Sequence, residues 1–418
     1  MKIRVENLNK RIDPKLKPLL RSFSDIAESL DIELYIVGGL VRDLILKRDC
    51  LDLDLLLSSK LDQFIDSVQN KLELNVEKTS FLTAKVEIGG FSVDIAQARR
   101  ELYQNNGSLP EVCPGEIEED FKRRDFTVNS LMGRVYKGEM VEVLDYAGGL
   151  ADIDKKLIRI TKRGSLYEDP TRIIRALRYK ARFGFKIEES TLSELREAIN
   201  SNAYGSLSAQ RVGAELLRVF KEDEVFEPIR ELFELNAMGF LPPIKLDSVL
   251  RGSLRGWDGF KDKSRFEHYF IIPLNIIARD LSREDLNIFW DIFELTKHQR
   301  KIMVEFRDID KERLLEYLSN SLKAVDIYDR LNGFDMHSIL SLYICASNKR
   351  VKRNLLFYVN KISKVRLQIT GEDVKALGIA ESPSVGEMLE KVLRSKVSGA
   401  LKSRADEVRV LKELLRSI

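Results

Sequence analysis

Histidine, cysteine and tryptophan are scarce in this chain, which has three, three and two of them among 418 residues. His268, His298 and His337 stand far apart, with no His-Asp doublet and no ligand spacing, so no appended metal phosphohydrolase is expected. Cys50, Cys113 and Cys345 are odd in number and widely spaced, which argues for reduced thiols rather than a disulfide framework or a zinc site. A long apolar run is also missing: Tyr269 through Ile277 is the most hydrophobic stretch, and it is too short and too interrupted to span a bilayer. The start, Met1-Lys2-Ile3-Arg4-Val5-Glu6, lacks the apolar core of a signal peptide. A cytoplasmic chain without membrane association or an obligate protein partner is the expectation. Charge of one sign is absent too, since 69 Lys and Arg face 66 Asp and Glu for a net +3, and any nucleic-acid contact must come from local patches. What remains is ordinary, 44% hydrophobic and 32% charged, in a length that suits roughly two to four domains.

Against that background one stretch stands out. Tyr35-Ile36-Val37 reads as a short buried strand, and Gly38-Gly39 lets the chain turn tightly, with exposed N–H groups, into a helix beginning near Val41. Arg42 then sits where a triphosphate would arrive. In Leu51-Asp52-Leu53-Asp54-Leu55 the strand period of two puts Asp52 and Asp54 on one face and the leucines on the other. Two like charges so close call for a cation, and Mg²⁺ takes hard oxygen ligands while leaving positions for phosphate oxygens. Alone, a Gly-Gly turn or an isolated Asp-x-Asp is usually no more than a turn or a solvated strand edge; their order and spacing together point to nucleotidyl transfer.

The run GGLVRDLIL, a short connector and DLD resemble the first motif of the class II tRNA nucleotidyltransferases (CCA-adding enzymes) and the related bacterial poly(A) polymerases. One departure is visible: Leu46-Lys47-Arg48 lacks the glycine with which the family ends this helix. Arg123-Arg124-Asp125-Phe126-Thr127-Val128-Asn129 is similar to the family's RRDFTxN motif, which implies that Arg124, Asp125 and Asn129 hold the ribose and triphosphate. That is chemically sensible, because Asp and Asn can bond ribose hydroxyls and arginines take phosphate oxygens. Asp145 through Asp152, leading to Ile158-Arg159, resembles a glycine-bearing joint between catalytic head and helical neck.

Glu168-Asp169-Pro170-Thr171-Arg172 opens a helix with acidic residues and a proline in its first turn, as the helix dipole and the missing proline N–H favour. Arg172, Arg175 and Arg178 recur along about one face, with Ile173, Ile174 and Leu177 toward a core. The resemblance implies that Asp169 and Arg172 form a protein template for the incoming base and that the later arginines contact phosphate. Cytosine and adenine each present an amine donor beside a ring-nitrogen acceptor, which suits a carboxylate next to a guanidinium; guanine and uracil present the reverse. In Phe91-Ser92-Val93-Asp94-Ile95, an alternating strand, Asp94 resembles the superfamily's third carboxylate, though it is equally readable as an edge-strand charge. The polar stretch Arg99 through Glu116 reads as a long loop and matches the flexible loop that the family associates with switching from CTP to ATP. Ser208 through Val212 with Glu215 resembles a fifth, helical motif that braces the template helix.

Lys349, Arg350, Lys352 and Arg353 begin a basic stretch interleaved with Phe357 and Tyr358. By itself such a run is commonly a solvated helix face. The following Ile369-Thr370-Gly371-Glu372-Asp373 resembles the family's tail segment, where helix starts offer N–H groups to an RNA backbone, which implies RNA binding here. The expected fold is α+β: a mixed α/β nucleotidyltransferase head over 1–150, then an all-helical neck with the template helix over 151–225, a body over 226–365 and a tRNA-binding tail over 366–418. The implied activity is Mg²⁺-dependent addition of CCA, or part of it, to tRNA from CTP and ATP. A CC-adding or A-adding enzyme, a poly(A) polymerase and a non-catalytic RNA-binding protein are the alternatives.

Overall fold

The computed structural model describes residues 4–48, 53–79, 81–88, 90–261, 263–377 and 383–416, and within it the chain forms two compact units, 1–219 with 227–240, and 220–226 with 241–418. The first unit is built on a seven-stranded sheet with strands β1 (Leu34–Val37), β2 (Leu53–Leu57), β3 (Val76–Thr79), β4 (Thr83–Ile88), β5 (Phe91–Gln97), β8 (Met132–Tyr136) and β9 (Glu139–Leu144) in the order β3-β4-β5-β2-β1-β8-β9. The β2–β5 pair is parallel and the other pairs are antiparallel, so the sheet is mixed.

The period of two sorts these strands into two faces. Leu34 and Ile36 of β1, Leu53, Leu55 and Leu57 of β2, and Val93 and Ile95 of β5 join one large core with Phe23 and Phe64, whose rings sit 6.0 Å apart on the covering helices Lys17–Ser29 and Leu61–Leu72. Tyr35, Val37 and Leu56 go to the opposite face, where they meet Phe121 and Met132. Asp54 and Asp94 alternate with the core residues of their strands, and they are register partners across the parallel β2–β5 pair. Both carboxylates therefore stand on the face away from the covering helices.

Beyond the sheet the chain is predominantly helical, as the α+β reading requires. A two-residue parallel ladder, β10 (Leu157–Ile158) with β11 (Lys186–Ile187), joins the segment before the Thr171–Phe183 helix to the one after it. That helix reaches Gly184 at its C-cap, with Ile173, Ile174, Ala176 and Leu177 buried. In the second unit the helices bury Trp257, Phe289 and Phe306, and the last ones close a separate small core of Ile369, Val374, Met388, Val392, Leu401 and Leu411. No helix among the described residues is long and apolar enough to cross a membrane. Cys113 and Cys345 are free thiols, and Cys50 lies outside the described residues.

The Arg99–Glu116 stretch departs from the expected loop. β6 (Arg99–Leu102) and β7 (Glu111–Pro114) pair antiparallel from Arg99↔Pro114 to Leu102↔Glu111, leaving only the tip as a loop. Their mixed residues, without a hydrophobic alternation, hide a ladder held by backbone hydrogen bonds, and backbone bonding has no sequence signature of its own.

Candidate active site

Gly38 adopts φ 70° and is followed by the Gly39–Leu46 helix. A Cβ on Gly38 would lie 2.4 Å from Asp54 Oδ2, so both the backbone angle and the approach to Asp54 require glycine. Arg42, one turn into that helix, is only 3% exposed. Its Nε and Nη2 grip Asp43 at 2.9 Å each, its Nη1 donates to Asn129, and its guanidinium lies 4.4 Å from the Phe183 ring centroid. Bidentate pairing of this kind is strong and directional, and it gives Arg42 a hold on Asn129 from 87 residues away. The same helix ends on Lys47, exposed and left-handed at φ 59°, a conformation that favours glycine. A side chain in that region costs about 1 kcal/mol. Lys47→Gly is expected to stabilise the fold by about that amount, read as a higher urea midpoint at unchanged slope; an unmoved or lower midpoint contradicts this.

Asp54 and Asp94 are the described members of the carboxylate set; Asp52 lies outside the described residues. The described residues include no cluster of three His, Cys, Asp or Glu side chains able to hold a metal, so Asp54 and Asp94 would not suffice alone. Their chemistry fits a hard divalent cation, because carboxylate oxygens from adjacent strands face the same side of the sheet beside a glycine that leaves Asp54 uncovered by any side chain of its own.

Asp54 shares a cavity of about 550 Å³ with Gly38, Gly39, Arg42, Arg124, Asp125, Asn129, Asp169, Arg172 and Arg175. That size is in the range of small-molecule sites. Seven arginines against five carboxylates line it, a balance that favours an anion. Asp94 and Arg178 are not among its lining residues; Asp94 is exposed on β5, and Arg178 is buried with its Nη2 3.8 Å from Glu215 Oε2 and its guanidinium 4.5 Å from the Tyr179 centroid. Glu215, beside Arg178, also receives Arg175 Nη1 at 3.2 Å.

Asp125 is the electrostatic centre of this wall. Its Oδ2 takes Arg175 at 2.8 Å from Nε and 2.6 Å from Nη2, and its Oδ1 accepts from Asn129 Nδ2 at 3.0 Å and from the Phe126 N–H at 2.8 Å. Burial pushes the carboxyl up, but Arg175, the Asn129 bond and Arg172 outweigh it and hold Asp125 at about 2 against the ordinary 3.8. A folded-state pKa lowered in this way gives stability that is full above the unfolded value and is lost as pH falls through about 2. The contribution is about 2 kcal/mol. Wild-type protein is expected to lose about that much more unfolding free energy than Asp125→Asn between pH 6 and pH 2, measured by denaturant titration; parallel curves contradict it.

Asp169 Oδ1 accepts from the Thr171 N–H at 3.1 Å, Thr171 Oγ1 at 2.6 Å and Arg211 Nη2 at 3.0 Å. Arg172 is 5% exposed; its Nη2 donates to the Arg123 carbonyl at 2.7 Å, while its Nη1 is buried without a partner. An unpaired buried guanidinium nitrogen is costly unless a ligand completes it.

Several cavity residues escaped the sequence reading as site members. Glu101 and Tyr103 come from the β6–β7 hairpin, Arg123 precedes the recognised Arg124, and Tyr179 and Arg182 follow on the Thr171–Phe183 helix. Arg211, expected only to brace, touches Asp169 directly and also donates to the Gly107 carbonyl at 2.6 Å. For Arg123 the doubled arginine was the available signal; for Glu101 and Tyr103 none existed once their segment was read as loop.

The basic stretch is elsewhere, in the second unit, on the Lys349–Asn360 helix capped by Asn348. Lys349, Arg350 and Arg353 are exposed with Phe357, and Lys352 is half-buried with its Nζ 5.2 Å from the Tyr343 ring centroid.

A mixed sheet carrying a glycine turn against a strand carboxylate, with an arginine-lined cavity beside it, is the arrangement that a nucleotidyltransferase head requires. Residues 34–159 match the family described as Poly A polymerase head domain. The chain is 28% identical over 99% of its length to an A-adding tRNA nucleotidyltransferase of Geobacter sulfurreducens, covering 48% of that protein. It is 32% identical over 53% of its length to a CC-adding tRNA nucleotidyltransferase of Deinococcus radiodurans, covering 58% of that protein. The chain thus spans about half the length of these curated relatives. The solved CCA-adding enzyme of Thermotoga maritima in complex with tRNA is similar with a TM-score of 0.71 and 25% identity, covering 100% of both chains. Residues 34–159 are thus similar to the Poly A polymerase head domain, and the chain is similar to tRNA nucleotidyltransferases, proteins that generally use a divalent metal.

Proposed function

We propose that this protein adds CCA, or part of it, to the 3′ end of tRNA from CTP and ATP. The observation that carries this reading is the shared cavity, in which Asp54 stands on the same lining as Asp169 and the unpartnered Nη1 of Arg172. The relatives' names support the RNA substrate and the two nucleotides. The reaction forms a bond from the RNA 3′ oxygen to the α-phosphorus and breaks the bond to the β-phosphate, releasing pyrophosphate. Mg²⁺ held by Asp52 and Asp54 would supply charge neutralisation at the phosphates and a lower pKa for the attacking hydroxyl.

The chain's own residues do the rest. Asp94 orients the hydroxyl proton, and Gly38 and Gly39 bring backbone close to phosphate. Asp125 and Asn129 face the ribose, each steadied by an arginine, Arg175 and Arg42. Arg42, Arg124 and Arg175 set the positive field for the triphosphate, and Arg178 acts through Glu215. Asp169, fixed by Thr171 and Arg211, and Arg172, fixed by the Arg123 carbonyl, present an acceptor and a donor to the base. Lys349, Arg350, Lys352 and Arg353 contact RNA phosphates in the second unit, and the protein works in the cytoplasm.

A narrower activity, A-addition alone, is the second reading, favoured by the A-adding relative that aligns with nearly the whole chain. Products on tRNA ending before CCA, on tRNA ending in CC, and on an unrelated RNA decide between them. CCA and A products on the two tRNAs support full addition, and A product only on the CC-ended tRNA supports the narrower activity. Extension of the unrelated RNA by many adenylates would overturn both in favour of poly(A) synthesis.

A further inference from the structure

A nucleobase offers hydrogen-bonding groups on its rim and π-surfaces above and below, so a cavity that reads the rim also needs a flat apolar wall. Two aromatic rings line this one, Tyr103 and Tyr179. Tyr179 is already occupied: the Arg178 guanidinium lies 4.5 Å from its centroid, Phe183 stacks on it at 5.6 Å, and Phe126 meets it edge-on at 5.9 Å. Tyr103 has no aromatic or cationic ring contact among the described residues; it is half-buried and lines the cavity together with Arg172 and Asp169.

The ring is also held. Tyr103 Oη donates to Glu101 Oε2 at 3.0 Å. Glu101, with a side chain 8% exposed, is clamped through its Oε1 by Arg123 Nη1 at 3.0 Å and Arg99 Nη2 at 3.1 Å. Arg123 in turn accepts the Arg172 bond on its carbonyl, so the ring and the base-reading guanidinium share one anchor. Burial and the neighbouring Glu101 push the Tyr103 hydroxyl up, which keeps it protonated as a donor.

We propose that Tyr103 is the stacking wall for the incoming nucleobase and that Glu101 is the residue that positions it. This rests on the nucleotide-transfer reading of the cavity. Stacking on an aromatic ring is tolerant of base identity, so Tyr103 would add affinity for CTP and ATP alike while Asp169 and Arg172 choose between bases.

The test is direct binding of CTP, ATP, UTP and inorganic triphosphate to the full chain with Mg²⁺ and without RNA, for wild type, Tyr103→Phe and Tyr103→Leu. Tyr103→Leu is expected to weaken CTP and ATP by about tenfold each and to leave triphosphate unchanged, since that probe has no base. Tyr103→Phe keeps the ring and is expected to stay within about threefold of wild type. Unchanged CTP and ATP binding in Tyr103→Leu overturns the proposal. So does a parallel loss of triphosphate, which marks a collapsed cavity. A wild-type protein that binds CTP and ATP no better than UTP would instead overturn the reading of the cavity, and this inference with it.

Discussion

Asp54→Asn is expected to lower nucleotide addition by about 10³-fold or more while leaving RNA affinity within about twofold. The substitution keeps shape and removes a single negative charge, so it isolates the carboxylate's part in holding a cation from its part in packing. Packing is a real concern here, because Asp54 Oδ2 lies close enough to Gly38 to be 2.4 Å from a Cβ built there. Asp54→Ala removes those packed atoms along with the charge and is therefore the less informative variant. Asp52→Asn is expected to match Asp54→Asn, on the strand alternation that puts both on one face. RNA binding should survive because the basic Lys349–Asn360 helix belongs to the other compact unit. Single-turnover addition on CC-ended tRNA and a filter-binding titration separate the two quantities. Near-normal turnover with Mg²⁺ present would remove Asp54 from the metal assignment.

Arg172→Ala is expected to erase most of the preference for CTP and ATP over UTP and GTP, by about 10- to 100-fold in the ratio of kcat/KM values. The structure narrows the cause to one nitrogen. Nη2 is already bonded to the Arg123 carbonyl, whereas the buried Nη1 has no partner and so is the donor left for a ring nitrogen. Arg172→Lys should fail nearly as badly, because a single ammonium cannot hold the Arg123 carbonyl and face the base in the guanidinium's fixed fork. Arg211→Ala is expected to act in the same direction but less strongly, since it removes one of the groups that aim Asp169. Arg178→Ala should slow all four nucleotides together, because it touches Glu215 and the Tyr179 ring rather than a base. Retention of full base preference in Arg172→Ala would move base choice away from this helix.

The mixed head and the helical remainder were readable because each rests on a local period. Tyr35-Ile36-Val37 is a short apolar run and Phe91 through Ile95 alternates, and they form β1 and β5. The Arg172, Arg175 and Leu177 spacing is helical, and the Thr171–Phe183 helix follows it. The β6–β7 hairpin was not readable, since neither strand alternates and both are held by backbone bonds that any residue can make. Its concealment took Glu101 and Tyr103 out of view.

Residue type and near-neighbour spacing were enough to say which groups could carry this chemistry: two aspartates two apart on a strand, a glycine pair before a helix, an acidic first turn followed by arginines. Those are short-range facts, set by the geometry of one strand or one helix. Which arginine reaches the cavity and which supports another residue is a long-range matter. Arg42 is committed to Asp43 and Asn129, Arg175 to Asp125 fifty residues away, and Arg172 to a carbonyl at Arg123. Each of these side chains is equally long and equally charged in the sequence. Only the folded packing, which buries one guanidinium against Phe183, leaves one nitrogen of another unpaired and turns a third onto Glu215, distinguishes their roles.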